Sequence, residues 1–154
     1  MRTLKIVLFG PPASGKSAIA RLAAFRYPND TASFEMEGVG KNEQAALFQA
    51  FCSTMFSRHF VLSPASITPD QTPFEWKKVF LLPRSAAGYY QVLKRRRPGE
   101  AGKFEEHYDR FAAYWERFKD KPNVLRVDGL RSDFSDLPVA ETLREIRRKL
   151  EMFG

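Results

Sequence analysis

The chain has 154 residues, 44% of them hydrophobic and 14% aromatic, enough for one well-packed domain over residues 1–154 and too little for two. Its formal charge of +7 and pI near 9.7 favour anionic partners, a class that includes polyphosphate nucleotides and nucleic acid. No apolar stretch approaches the roughly 20 residues that cross a bilayer, the first apolar run starts too early to leave room for a signal peptide, and Cys52 is the single cysteine, which excludes an intramolecular disulfide and leads us to expect a cytoplasmic protein.

The apolar run from Leu4 to Phe9 predicts a buried first strand. A helix follows from about Lys16, carrying Ile19, Leu22 and Ala23 at near-helical spacing until Pro28 stops it. Ser33 to Met36 reads as a second strand and the run from Glu37 to Gly40 as a turn. Asn42 is positioned as an N-cap for a helix to about Ser57, in which Leu47, Phe51 and Met55 repeat every four residues. His59 to Leu62 predicts a third strand, Ser63 to Pro73 a loop, and Lys78 to Leu82 a fourth strand closed by Pro83. From Ser85 a helix carries Tyr89, Val92 and Leu93 into the basic run Lys94-Arg95-Arg96-Arg97, and Pro98-Gly99 breaks it. Phe104, Tyr108, Phe111, Trp115 and Phe118 then form one continuous helical stripe. Val124 to Val127 is the fifth strand, Asp128-Gly129 opens a polar loop, and Asp136 is placed to cap a last helix with Leu143, Ile146 and Leu150 on its inner face. Alternation of strands and helices implies a mostly parallel sheet covered on both faces, with ligands at the carboxyl ends of the strands.

Between the first strand and its helix stands Gly10-Pro-Pro-Ala-Ser-Gly15-Lys16-Ser17, a full GxxxxGK[ST] match. Gly10 and Gly15 permit torsions and close approach that a Cβ obstructs, so the N–H groups through Ala13, Ser14 and Gly15 can turn inward around phosphate oxygens. The helix beginning at Lys16 adds unpaired N–H donors and the positive end of its dipole. In this pattern Lys16 serves the β- and γ-phosphates, and the Ser17 hydroxyl is the expected Mg²⁺ ligand.

A phosphate loop on the first strand, five strands, and a basic helical hairpin between the fourth and fifth make the chain resemble the small P-loop kinases, which include adenylate, shikimate and polynucleotide kinases. The resemblance implies an α/β fold: one three-layer αβα domain, a five-stranded mainly parallel sheet with a Walker A loop, and a helical lid at about residues 84–120. It implies ATP and Mg²⁺ as cofactors, and lid arginines among Arg84, Arg95, Arg96 and Arg97. Alternate members of a helical run differ by about 200° in direction, which ranks Arg95 and Arg97 above Arg96. It further implies a carboxylate near the end of the second strand that orients the acceptor; Glu37 is the first choice, with Glu35 and Asp30 behind it. Gly129 and Arg131 fall in the loop that holds the nucleotide base in such kinases. In one respect the chain departs from many P-loop proteins, because the third strand runs into Ser63, Ser66 and Thr68 without an Asp to orient the metal. His59 and His107 lack companions at metal-ligand spacing and read as structural.

The function expected from these residues is transfer of the γ-phosphoryl group of ATP to a small-molecule, nucleoside or nucleotide acceptor. The basic lid leaves nucleic-acid ends open as an acceptor, and the missing third-strand Asp leaves open a regulatory module that binds nucleotide without turnover. A GTP switch is disfavoured because neither DxxG nor NKxD occurs. No membrane association is expected, and the residues set no oligomeric state.

Overall fold

The computed structural model describes residues 5–11, 13–16, 18–19, 21–22, 31–35, 43, 59–63, 70, 76–99 and 104–152. Among the described residues there are five short strands: β1 (Lys5–Phe9), β2 (Thr31–Glu35), β3 (His59–Ser63), β4 (Lys77–Leu81) and β5 (Val124–Val127). They pair in the order β2-β3-β1-β4-β5, and every pairing is parallel. Parallel neighbours need crossover connections, which bring helices over the faces and bury the central strand on both sides. Accordingly Val7, Leu8 and Phe9 of β1 are at most 1% exposed.

Alternation along β1 sends its side chains to opposite faces. Ile6 and Leu8 join Ile19, Val79, Leu81, Leu125, Val127, Leu143 and Ile146 in one cluster. Val7 and Phe9 join Trp76, Phe80, Leu82, Phe111, Phe118 and Val124 in the other. The first cluster lies under the helical segment that starts at Lys16 and under α3 (Val139–Met152). The second lies under α2 (Phe104–Phe118), where Phe80 stacks on Phe9 at 5.5 Å and meets the edge of Trp115 at 5.6 Å. Between β4 and α2 comes α1 (Ala86–Arg96), which buries Gly88, Tyr89, Val92 and Leu93.

The expected elements shift by a residue or two where they are described. The second strand starts at Thr31 rather than Ser33, and the third reaches Ser63. The helix expected from Asn42 to Ser57 lies outside the described residues apart from Glu43, which is helical. Asp136 is not the cap of α3: it faces α1, and the first turn of α3 is built on Pro138, whose carbonyl accepts from the amides of Glu141 and Thr142 and from the Thr142 hydroxyl. No described helix is long and apolar enough to cross a membrane.

Candidate phosphate site and its surroundings

The chain leaves β1 at Phe9 and turns sharply at once. A Cβ on Gly10 would sit 2.5 Å from the Leu81 carbonyl oxygen and 2.7 Å from Ser14 Oγ, so only glycine lets the loop pass the end of β4. The Ser14 amide donates to the Pro11 carbonyl at 3.2 Å and closes the turn. Ala13 has φ of 67° and Gly15 of 94°, both in the left-handed region. For Ala13 that costs roughly 1–2 kcal/mol, a strain that must be held by its surroundings. Alternation of hand along a loop is what turns consecutive N–H groups toward one point, forming a concavity for an anion. Helical structure begins at Lys16, and the Ile19 amide donates to the Gly15 carbonyl at 3.1 Å.

Polar groups in the loop are arranged for a charged occupant. Lys16 Nζ donates to the carbonyls of Gly10 at 2.5 Å and Pro11 at 3.1 Å, which holds the ammonium across the loop. Ser14 Oγ is buried with no hydrogen-bond partner among the described residues, an arrangement that costs about 1–3 kcal/mol unless a ligand or solvent completes it. The glycine cradle, the orphaned hydroxyl and the ammonium fit a phosphate tail. Ser17, the expected metal ligand, lies outside the described residues, as do Glu37, Asp30, Ser66 and Thr68. Glu35 ends β2, where the register sets it beside Ser63 of β3. No group of three or more His, Cys, Asp or Glu among the described residues could hold a metal ion.

One of the basic-run arginines meets this loop. Arg96 donates to the Ala13 carbonyl at 2.8 Å, and its guanidinium also pairs with Asp136 at 3.0 Å. Arg95 pairs with the same Asp136 oxygen at 3.0 Å, and the Arg97 amide closes the end of α1 on the Leu93 carbonyl at 2.7 Å. Arg96, which helix direction ranks below Arg95 and Arg97, is thus in contact with the loop. The reason is the helix rotation: Val92 and Leu93 must face the core, and this fixes which following residue points toward β1's loop. The basic run also complements the negative end of the α1 dipole, as three of its residues occupy the last turn.

The loop after β5 is drawn into the same neighbourhood. Asp128 accepts from the Leu130 amide at 3.0 Å and lies 4.0 Å from Arg84 Nε, and the Gly129 carbonyl accepts from Leu137 at 2.9 Å. Leu130 bridges to Asp136, while Arg131 exchanges backbone bonds with Phe134 and Ser135 and leaves its side chain exposed. Phe134 adopts φ of 64° at the tip, and a Cβ on Gly88 would lie 2.9 Å from its ring. The small residue at 88 therefore admits the Phe134 ring against α1. Asp136 and Phe134, which sequence patterns do not single out for this place, join the loop after β5 to the helix that carries Arg96.

A central parallel strand ending in a glycine-cradled loop, followed by a helix that starts on the loop's lysine, defines the P-loop class of α/β proteins. No family model matches the chain, and no curated protein matches it in sequence. Its fold is that of the small P-loop kinases. It is similar to a gluconokinase from Sinorhizobium meliloti 1021 (TM-score 0.58, 15% identity, 98% of each chain covered). It is also similar to shikimate kinase from Aquifex aeolicus vf5 (TM-score 0.63, 14% identity, 96% of each chain). A third similar structure is deoxyadenosine kinase from M. mycoides, solved with its products dCMP and dCDP (TM-score 0.57, 12% identity, 98% of this chain and 100% of that one).

Proposed function

We propose that this protein is an ATP-dependent phosphotransferase that moves a γ-phosphoryl group, with Mg²⁺, to a small-molecule, nucleoside or nucleotide acceptor in the cytoplasm. The observation that carries the reading is the loop from Gly10 to Lys16, with its two left-handed residues, its buried unpaired hydroxyl and its lysine. Under this reading the loop amides and Lys16 bind the phosphate tail, and Ser17 would hold the metal, which would supply charge neutralisation. Glu37, two residues past β2 in the sequence, orients the acceptor hydroxyl and takes its proton as the oxygen attacks phosphorus and the bond to the leaving diphosphate breaks. Among the basic residues of the 84–120 segment, Arg96 is the first choice for charge stabilisation because it already touches Ala13, with Arg95 and Arg97 next to it. Gly129 and Arg131 would face the nucleotide base. Similarity of fold to a gluconokinase, a shikimate kinase and a deoxyadenosine kinase supports the reaction class and leaves the acceptor to experiment.

The absence of a carboxylate in β3, whose residues are His59–Ser63, favours one competitor, a regulatory module that binds nucleotide without turnover. Purified protein incubated with Mg²⁺ and γ-labelled ATP against pools of metabolites, nucleosides, nucleotides and nucleic-acid ends separates the readings. Transfer of label to an acceptor, lost in Lys16→Ala, is the expected result. Label found only in free phosphate, or remaining in ATP throughout, overturns the kinase reading.

A further inference from the structure

β5 is the last strand of the sheet, separated from β1 by β4 and so about 10 Å from it. Along its outer side runs a cavity of about 600 Å³, walled by α2 and α3 and, among the described residues, lined by none of the phosphate loop. Among the described residues its charged lining is Arg84, Lys119, Arg126, Arg148 and Lys149 against the carboxylate of Asp128. Glu116 pairs with Lys119 and Glu145 with Arg148, each at 2.6 Å, whereas Arg126 and Lys149 are bonded to carbonyl oxygens, with Lys149 also near enough to Glu145 to favour its charged form. Trp115 supplies an aromatic wall, with the Arg126 guanidinium 5.7 Å from its ring.

We infer that this groove is a binding track for single-stranded nucleic acid, separate from the phosphate loop. Cations lining one cleft together with an aromatic side chain are the two elements such a strand requires: backbone neutralisation and sequence-tolerant stacking. The lining takes in Val124, Leu125 and Arg126 of β5 and Asp128 just past it, a stretch of about 13 Å of extended chain and longer than one compact anion. A peptide adding to the edge of the sheet is disfavoured, because Lys149 Nζ already covers the outward Arg126 carbonyl at 2.7 Å and would have to be displaced. The net charge of +7 adds long-range attraction for a polyanion. This inference does not depend on phosphotransfer.

The test is binding of a fluorescein-labelled oligo-dT of about 12 nucleotides, a length within the usual site sizes, followed by anisotropy from low to physiological salt. Arg84→Gln/Lys119→Gln/Arg148→Gln, three exposed groove cations, should weaken binding at least tenfold at low salt and flatten the slope of log K against log salt by about 2. The matched variant Lys94→Gln/Arg110→Gln/Arg144→Gln, exposed cations elsewhere, should stay within about threefold of wild type, and Lys16→Ala should bind like wild type. Thermal melts establish that each variant is folded, and Arg84→Gln alone gives the same comparison in milder form. Tryptophan emission is a second readout: Trp76 is 1% exposed, so quenching on binding should disappear in Trp115→Phe. Absence of binding by the wild type at low salt, equal loss in both triple variants, loss in Lys16→Ala, or equal affinity for poly-glutamate overturns the inference.

Discussion

Gly10 has no room for a side chain, and this makes it the most sensitive position in the phosphate loop. In Gly10→Ala the new methyl group meets backbone oxygen rather than a movable side chain. Overpacking of this kind costs about 1–3 kcal/mol, so we expect a lowered melting temperature together with loss of ATP binding by calorimetry. Lys16→Ala should instead melt within a few degrees of wild type while losing nucleotide affinity, because solvent can replace the ammonium on the Gly10 and Pro11 carbonyls. Asp136 is shared by Arg95 and Arg96 at 43% side-chain exposure, and exposed pairs contribute about 0–1 kcal/mol. Asp136→Asn should therefore change stability little and raise affinity for the triphosphate, since the Arg96 guanidinium on the Ala13 carbonyl is released from a competing carboxylate. Unchanged or weaker ATP binding in that variant would remove Arg96 from the site.

At the level of elements, α1 depends on its first turn: Ser85 has extended torsions and its hydroxyl accepts from the Gly88 amide at 3.1 Å. Ser85→Ala should cost about 1 kcal/mol in denaturant unfolding, and it should weaken protection of the Gly88 amide first. On α2, Phe111 is 6% exposed in the cluster beneath the sheet. Phe111→Ala should cost about 3–5 kcal/mol, whereas truncation of exposed Glu106 should be nearly neutral. The aromatic stripe of α2 is plain in the sequence because amphipathic spacing over a long helix is a strong periodic signal, and Phe111 and Phe118 are indeed buried. Strand ends are less legible. Lys78 is 6% exposed, its Nζ bonded to the Trp76 carbonyl, and β4 starts at Lys77 because pairing with β1 and β5, not hydropathy, sets its limits.

Across the molecule, acid should act through carboxylates held by local partners. Asp133 lies below the usual carboxylate range because the Ser135 hydroxyl and amide donate to it, and Glu145 is lowered by its hydrogen bond to Arg148. A depressed folded pKa gives stability that is complete above the unfolded value, near 4, and is lost as pH falls through the lower folded value. The melting temperature should thus decline below about pH 4, and more shallowly in Asp133→Ala/Glu145→Gln; parallel declines would show that other groups dominate acid unfolding. The loop after β5 is where this matters for the site, because Asp133 shapes the turn that ends in Asp136.

The phosphate loop is legible in the amino-acid sequence by itself, since its chemistry depends on residues contiguous in the chain: glycines for torsion, a lysine for charge, a helix start for donors. The alternation of strands and helices likewise follows from short-range periodicity. The meeting of Ala13, Arg96 and Asp136 has no such local signal, nor has the seating of Phe134 on Gly88, nor the charged groove beside β5. Those depend on contacts between segments tens of residues apart, set by how α1 and α3 rotate to bury their apolar faces on a twisted sheet. Local sequence chose the kind of group available at each place, and packing of the whole chain chose which of them face one another.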